Sequence, residues 1–201
     1  MTAASEEGWG GADINRSWAA EAQRVARFGG GACLLGGVLR MASSVIEYDP
    51  ASLRLEALYA VIDLALLFGL LGLYAHAAPG LGRLGRFGLC AALAGVASIL
   101  GPDADRFGVN WYVAGGAVFL LGLLLFSVAL LRRTSARAAP LIWLSACLAA
   151  ASSAMGGGAA AFVAAGLLLG AGFVVAGAQL LQASGRGEAQ SAAERRSPGA
   201  V

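Results

Sequence analysis

The chain has 201 residues, 58% of them hydrophobic and 13% charged, with a net charge of +2 and a mean hydropathy of +0.72. An ordinary soluble domain is about a quarter charged, so this composition excludes a conventional soluble protein. The small net charge, with no basic stripe interleaved with aromatics, also excludes a nucleic-acid-binding protein.

Residues 1–27 form a cytoplasmic N-terminal segment. They carry Glu6, Glu7, Asp13, Arg16, Glu21, Arg24 and Arg27, and no apolar core precedes Phe28. A secretory signal peptide has a different order of charge and apolar core, so an uncleaved first membrane helix is expected. Within 16–27, Trp18, Ala22, Val25 and Phe28 recur at helical spacing beside Arg24 and Arg27. That pattern fits a short interfacial helix; a disordered lead into the first membrane helix is the other reading.

Six apolar stretches follow, at 28–46, 55–77, 84–101, 109–131, 138–155 and 159–181. Each approaches the ~20 residues that span hydrocarbon. Turn and breaker signals separate them: Asp49-Pro50, Pro79-Gly80, Gly101-Pro102, Pro140 and the Gly156-Gly157-Gly158 run. The predicted fold is an all-α integral membrane protein, a bundle of six transmembrane helices over 28–181. Residues 182–201 are polar and rich in Ser, Gly and Ala, and read as a disordered cytoplasmic tail.

Orientation follows from arginine, since all 14 basic residues are arginine. Arg16, Arg24, Arg27, Arg83, Arg86, Arg132, Arg133, Arg137, Arg186, Arg195 and Arg196 fall on one side of a six-span topology, and only Arg54 and Arg106 on the other. The positive-inside rule then predicts a multipass protein with both termini cytoplasmic. Arginine without lysine, together with heavy alanine and glycine use, points to a GC-rich bacterial genome, hence the plasma (inner) membrane.

Cys33, Cys90 and Cys147 are spaced 57 residues apart, and Arg27-Phe28-Gly29 and Arg86-Phe87-Gly88 precede the first two alike. Three repeated helical hairpins would explain this, as would chance likeness of alanine-rich helices. The cysteines read as small packing residues, free of disulfides. Small residues recur every four positions at Gly29, Cys33 and Gly37, at Cys90, Ala94 and Ser98, and at Gly166 and Gly170. Such stripes let helices approach closely in lipid, within one chain or between subunits of a homo-oligomer.

No catalytic, cofactor-binding or metal-ligating set is predicted. There is no HExxH, zinc-type spacing or P-loop, and the single histidine, His76, excludes bis-histidine haem ligation. The informative residues are ionisable ones at membrane depth. Arg40 lies ~9 Å and Asp63 ~12 Å from the outer boundary at 1.5 Å per residue, so they can pair across the first hairpin. Arg40, Ser43, Ser44 and Glu47 share one helical face, and Glu56, Tyr59 and Asp63 another. Asn110, with Trp111 and Tyr112, opens the fourth stretch at the same boundary, just after Asp103, Asp105 and Arg106.

Two readings stand for this cluster. One is a structural Arg40–Asp63 pair with Glu47 and Glu56 solvated at the interface. The other is a polar pocket of Arg40, Glu47, Glu56, Tyr59, Asp63 and Asn110, open to the outer face. The leading functional expectation is a non-enzymatic protein that binds a lipid or small molecule, or a subunit of an assembly. The alternatives are a secondary transporter titrating at Asp63, and a membrane-embedded enzyme using a carboxylate as general acid on a lipophilic substrate. The bilayer is the expected partner; no nucleic acid is.

Overall fold

The computed structural model describes residues 10–46, 49, 52–77, 80–100, 105–106, 109–133 and 137–196. Among them are six α-helices: α1 (Gly10–Ser43), α2 (Leu53–Ala77), α3 (Arg83–Ser98), α4 (Trp111–Leu131), α5 (Ala138–Ser152) and α6 (Gly158–Arg196). A two-residue antiparallel pairing, Asp105–Arg106 with Val109–Asn110, precedes α4. A five-residue π-helical segment, Ser153–Gly157, joins α5 to α6.

Each helix packs on its neighbour in sequence, and α6 packs back on α1, so the six close into a ring. Glycine sets how close the helices come. On the α1–α2 face, Gly29 meets Gly72, Cys33 meets Gly69, and Gly36 meets Ala65 and Leu66. Position falls on one helix as it rises on the other, so the pair is antiparallel. On the α1–α6 face, Gly30 meets Gly177, and Gly37 meets Gly170 and Val174. On the α3–α4 face, Gly88 meets Gly122 and Phe126, and Gly95 meets Gly115 and Phe119. In lipid such close backbone contact replaces the hydrophobic drive that water would supply.

The chain reverses between α5 and α6 at Gly156 (φ 97°) and Gly158 (φ 71°). Both lie in the left-handed region that glycine enters without a Cβ clash. Further along the hairpin Gly172 lies against the Trp143 indole. Trp143 stacks edge-on to Phe173 at 5.2 Å and lies 6.1 Å from Phe126, forming an aromatic core between α4, α5 and α6. Outside, every helix carries exposed large apolar side chains, among them Phe28, Leu35, Phe68, Phe87, Leu121, Leu148 and Phe162. An apolar core with an equally apolar coat is the pattern of a membrane protein.

Among the described residues three stretches are long and apolar enough to cross a membrane: α2, α4 and the helical run Ala138–Gly187. The predicted six-span bundle is not supported by that count. α3 has 16 residues and α5 has 15, short of the ~20 needed, and Arg40 with a run of glycines dilutes α1. The protein is therefore an all-α membrane protein with three such stretches.

Two predicted boundaries also move. Residues 16–27 belong to the continuous helix α1 rather than to a separate interfacial helix or a disordered lead. Residues 182–196, expected as disordered tail, continue α6. Hydropathy stops where apolar residues stop, but alanine, glutamine, glutamate and arginine carry a helix onward. The two extensions hold together: Gln23 Nε2 donates to the Ser184 carbonyl at 2.8 Å.

The cysteines are free and lie in three different settings: Cys33 buried against Gly69, Cys90 exposed, and Cys147 half-buried with its thiol 3.5 Å from the Leu120 carbonyl. Cys90 and Ala94 face outward, while Gly88, Ala92 and Gly95 make the α4 contact. The Gly29–Cys33–Gly37 stripe divides as well, Gly29 facing α2, Gly37 facing α6 and Cys33 touching Gly69 of α2 and Gly177 of α6.

Candidate functional site

The register of α1 on α2 brings Arg40 level with Asp63. Gly36 already sits opposite Ala65 and Leu66, and one further helical turn puts Arg40 at the level of the residues just before them. Arg40 lies in the last turn of α1. The hydroxyls of Ser43 and Ser44 both donate to its carbonyl, at 3.0 and 2.7 Å. The same carbonyl accepts the Ser44 N–H at 3.2 Å, so both serine hydroxyls turn back onto the helix's own backbone at the end of α1.

Asn110 starts α4. Its Oδ1 accepts from the Val113 N–H at 3.0 Å, an N-cap contact. That cap sets the rotation of the first turn and so aims Tyr112 at the same region. Tyr112 lines the same cavity as Arg40, Tyr59 and Asp63. Arg40 and Asp63 interact electrostatically with each other as well. The Arg40 Nε is buried with no hydrogen-bond partner.

These groups border two adjoining cavities. The larger, about 870 Å³, is lined by Arg40, Glu56, Tyr59, Asp63, Asn110 and Tyr112 on its polar side. Its rim is apolar: Val45, Ile46, Leu53 and Phe162 line it and are 70%, 44%, 77% and 58% exposed. The smaller, about 310 Å³, shares Arg40, Asp63 and Tyr112 and runs deeper, between Leu66, Val96, Phe119, Leu120 and Leu169. Beyond it the bundle is closed by fully buried side chains, including Leu70, Phe126, Trp143 and Phe173.

Five of the expected pocket residues thus come together: Arg40, Glu56, Tyr59, Asp63 and Asn110. Glu47 lies outside the described residues. The wall supplied by α6 went unforeseen. Phe162, Val163 and Gly166 line the cavities, and a Cβ on Gly166 would collide with the Ser44 hydroxyl and stand 3.9 Å from Arg40 Nε. The Gly166–Gly170 spacing signalled a close helix contact without naming the partner helix. Gly116 is the converse case. It lines the deep cavity, and a Cβ added there would meet nothing within 4 Å.

Chemically the arrangement offers one guanidinium, two carboxylates and two phenols above an apolar channel. Among the described residues no group of three or more His, Cys, Asp and Glu could hold a metal ion. No known protein family, curated protein or solved structure matches the chain.

Proposed function

We propose that this chain crosses a bacterial inner membrane six times with both termini in the cytoplasm, and that it holds an amphipathic small molecule or lipid in the cavity at its outer end without altering it chemically. The observation that carries the reading is the cavity itself: charged and phenolic groups on one wall, an apolar rim, and an apolar recess beneath. Pockets of this size take ligands that fill an apolar space and meet a few placed polar groups. A rim of exposed valine, isoleucine, leucine and phenylalanine suits a mouth at the lipid boundary.

The six-span topology rests on packing. α1 lies along α2, and α3 lies along α4 in strict antiparallel register, so helices that cross bring their companions with them. The short helices are completed by flanking residues, as when the π-helical segment lengthens α5, and modest mismatch is accommodated by tilt or local thinning. Reporter fusions after residues 80, 135 and 190 should read as cytoplasmic, and fusions after 50, 104 and 157 as external. One swapped loop overturns the topology.

Binding is tested by filling the recess. Gly116→Leu projects into open space, so folding should survive while bound amphiphile falls at least tenfold by native mass spectrometry. A variant that retains as much amphiphile as the wild type would remove the cavity as the binding site.

A carrier is the second reading. Its support is that α3 and α4 pack extensively on each other and only thinly on α2 and α5, which makes the hairpin a unit able to shift. The filled core below the recess would have to open for it.

A further inference from the structure

Building on the cavity-binding reading above, we propose that the ligand is a zwitterionic amphiphile: an apolar tail, then a phosphate or carboxylate, then an ammonium group outermost. The order is that of the cavity wall. Deepest is the apolar recess bounded by Leu66, Phe119, Leu120 and Leu169. Next comes the level of Arg40, with Asp63 and Tyr112 lining the same space. Nearest the mouth is Glu56 in the first turn of α2, with Tyr59 a turn further in. Glu56 and Asp63 stand seven residues apart, which is ~10 Å along the helix.

Electrostatics separates the ligand classes. Among the described lining residues one is cationic and two are acidic. A purely anionic headgroup reaching Arg40 meets two carboxylates on the same wall. A purely cationic one reaching Glu56 and Asp63 meets the guanidinium. A neutral headgroup offers no charge to Glu56, the carboxylate left over once Arg40 and Asp63 face each other. A headgroup carrying both signs places its anion on Arg40 and Tyr112 and its ammonium on Glu56, and the tail enters the recess without reversing direction. Asp63 remains the counter-charge of Arg40 when the cavity is empty.

The test uses the full chain in detergent and three single-tailed probes of equal chain length: lysophosphatidylethanolamine, lysophosphatidylglycerol and an alkylamine. Competition is read by native mass spectrometry. The zwitterionic probe should bind at least tenfold tighter than either of the others. Glu56→Gln should shift preference toward the anionic probe, and Arg40→Gln toward the amine. Glu56 is half-buried at a helix start, so its variant remains readable if Arg40→Gln fails to fold. Equal or tighter binding of the anionic or the cationic probe overturns the zwitterion assignment while leaving the cavity as a binding site. If none of the three binds, and Gly116→Leu changes nothing, the cavity-binding reading fails with it.

Discussion

Gly122→Ala is expected to lower the thermal stability of the detergent-solubilised protein by on the order of 5–10 °C, while Gly31→Ala leaves it unchanged or slightly raised. A Cβ at Gly122 would collide with the backbone nitrogen of Ala92 and crowd the Gly88 carbonyl at 2.6 Å. Backbone atoms of a packed helix cannot swing aside as a side chain can, so α3 and α4 would have to separate along their length. Overpacking of this kind costs roughly 1–3 kcal/mol, and each kcal/mol is worth about 2–4 °C in a chain of this size. Separation would also loosen Gly88 and Gly95 against α4, adding to the loss. Gly31 faces outward with nothing within 4 Å of the added atom, and alanine is the better helix former. Equal melting temperatures for the two variants would show that close glycine contact does not hold the α3–α4 hairpin.

A double-mutant cycle at Arg40 and Asp63 should give a coupling of about 1 kcal/mol or more. The two side chains line the same cavities and interact electrostatically, and both are half-buried. Asp63→Asn leaves the guanidinium without its counter-charge in a poorly solvated setting. Arg40→Gln does the same to the carboxylate. Removing one member of a fully buried pair costs about 3–5 kcal/mol; partial exposure here brings the expected single-variant loss to roughly 1–3 kcal/mol. The double variant retains two neutral polar groups able to hydrogen-bond, so it should be less damaged than the two losses taken together. Simple additivity would mean that the residues act independently. A stable Asp63→Asn protein that no longer retains amphiphile would assign Asp63 to the ligand rather than to the scaffold.

The membrane class, the positions of the apolar stretches, the arginine asymmetry and most of the polar cavity wall were legible in the sequence, because each depends on nearby residues. Hydropathy sums along the chain. A lone arginine or aspartate in an apolar run stands out. The i, i+3, i+7 spacing of Glu56, Tyr59 and Asp63 already places them on one side of one helix.

Helix partners are another matter. Gly37 continued the spacing of Gly29 and Cys33, yet Gly29 faces α2, Gly37 faces α6 and Cys33 touches both, because α1 is wedged between two helices and uses two adjoining faces. Cys90 and Ala94 matched a packing stripe and point outward. The α6 wall that closes the cavity around Arg40 was likewise decided by tertiary structure. Which small-residue face meets which is a competition among all six helices for close contact, and its outcome depends on register and rotation between segments as far as 161 residues apart, such as Gln23 and Ser184. Local sequence says that a face can pack; only the assembled ring determines against what.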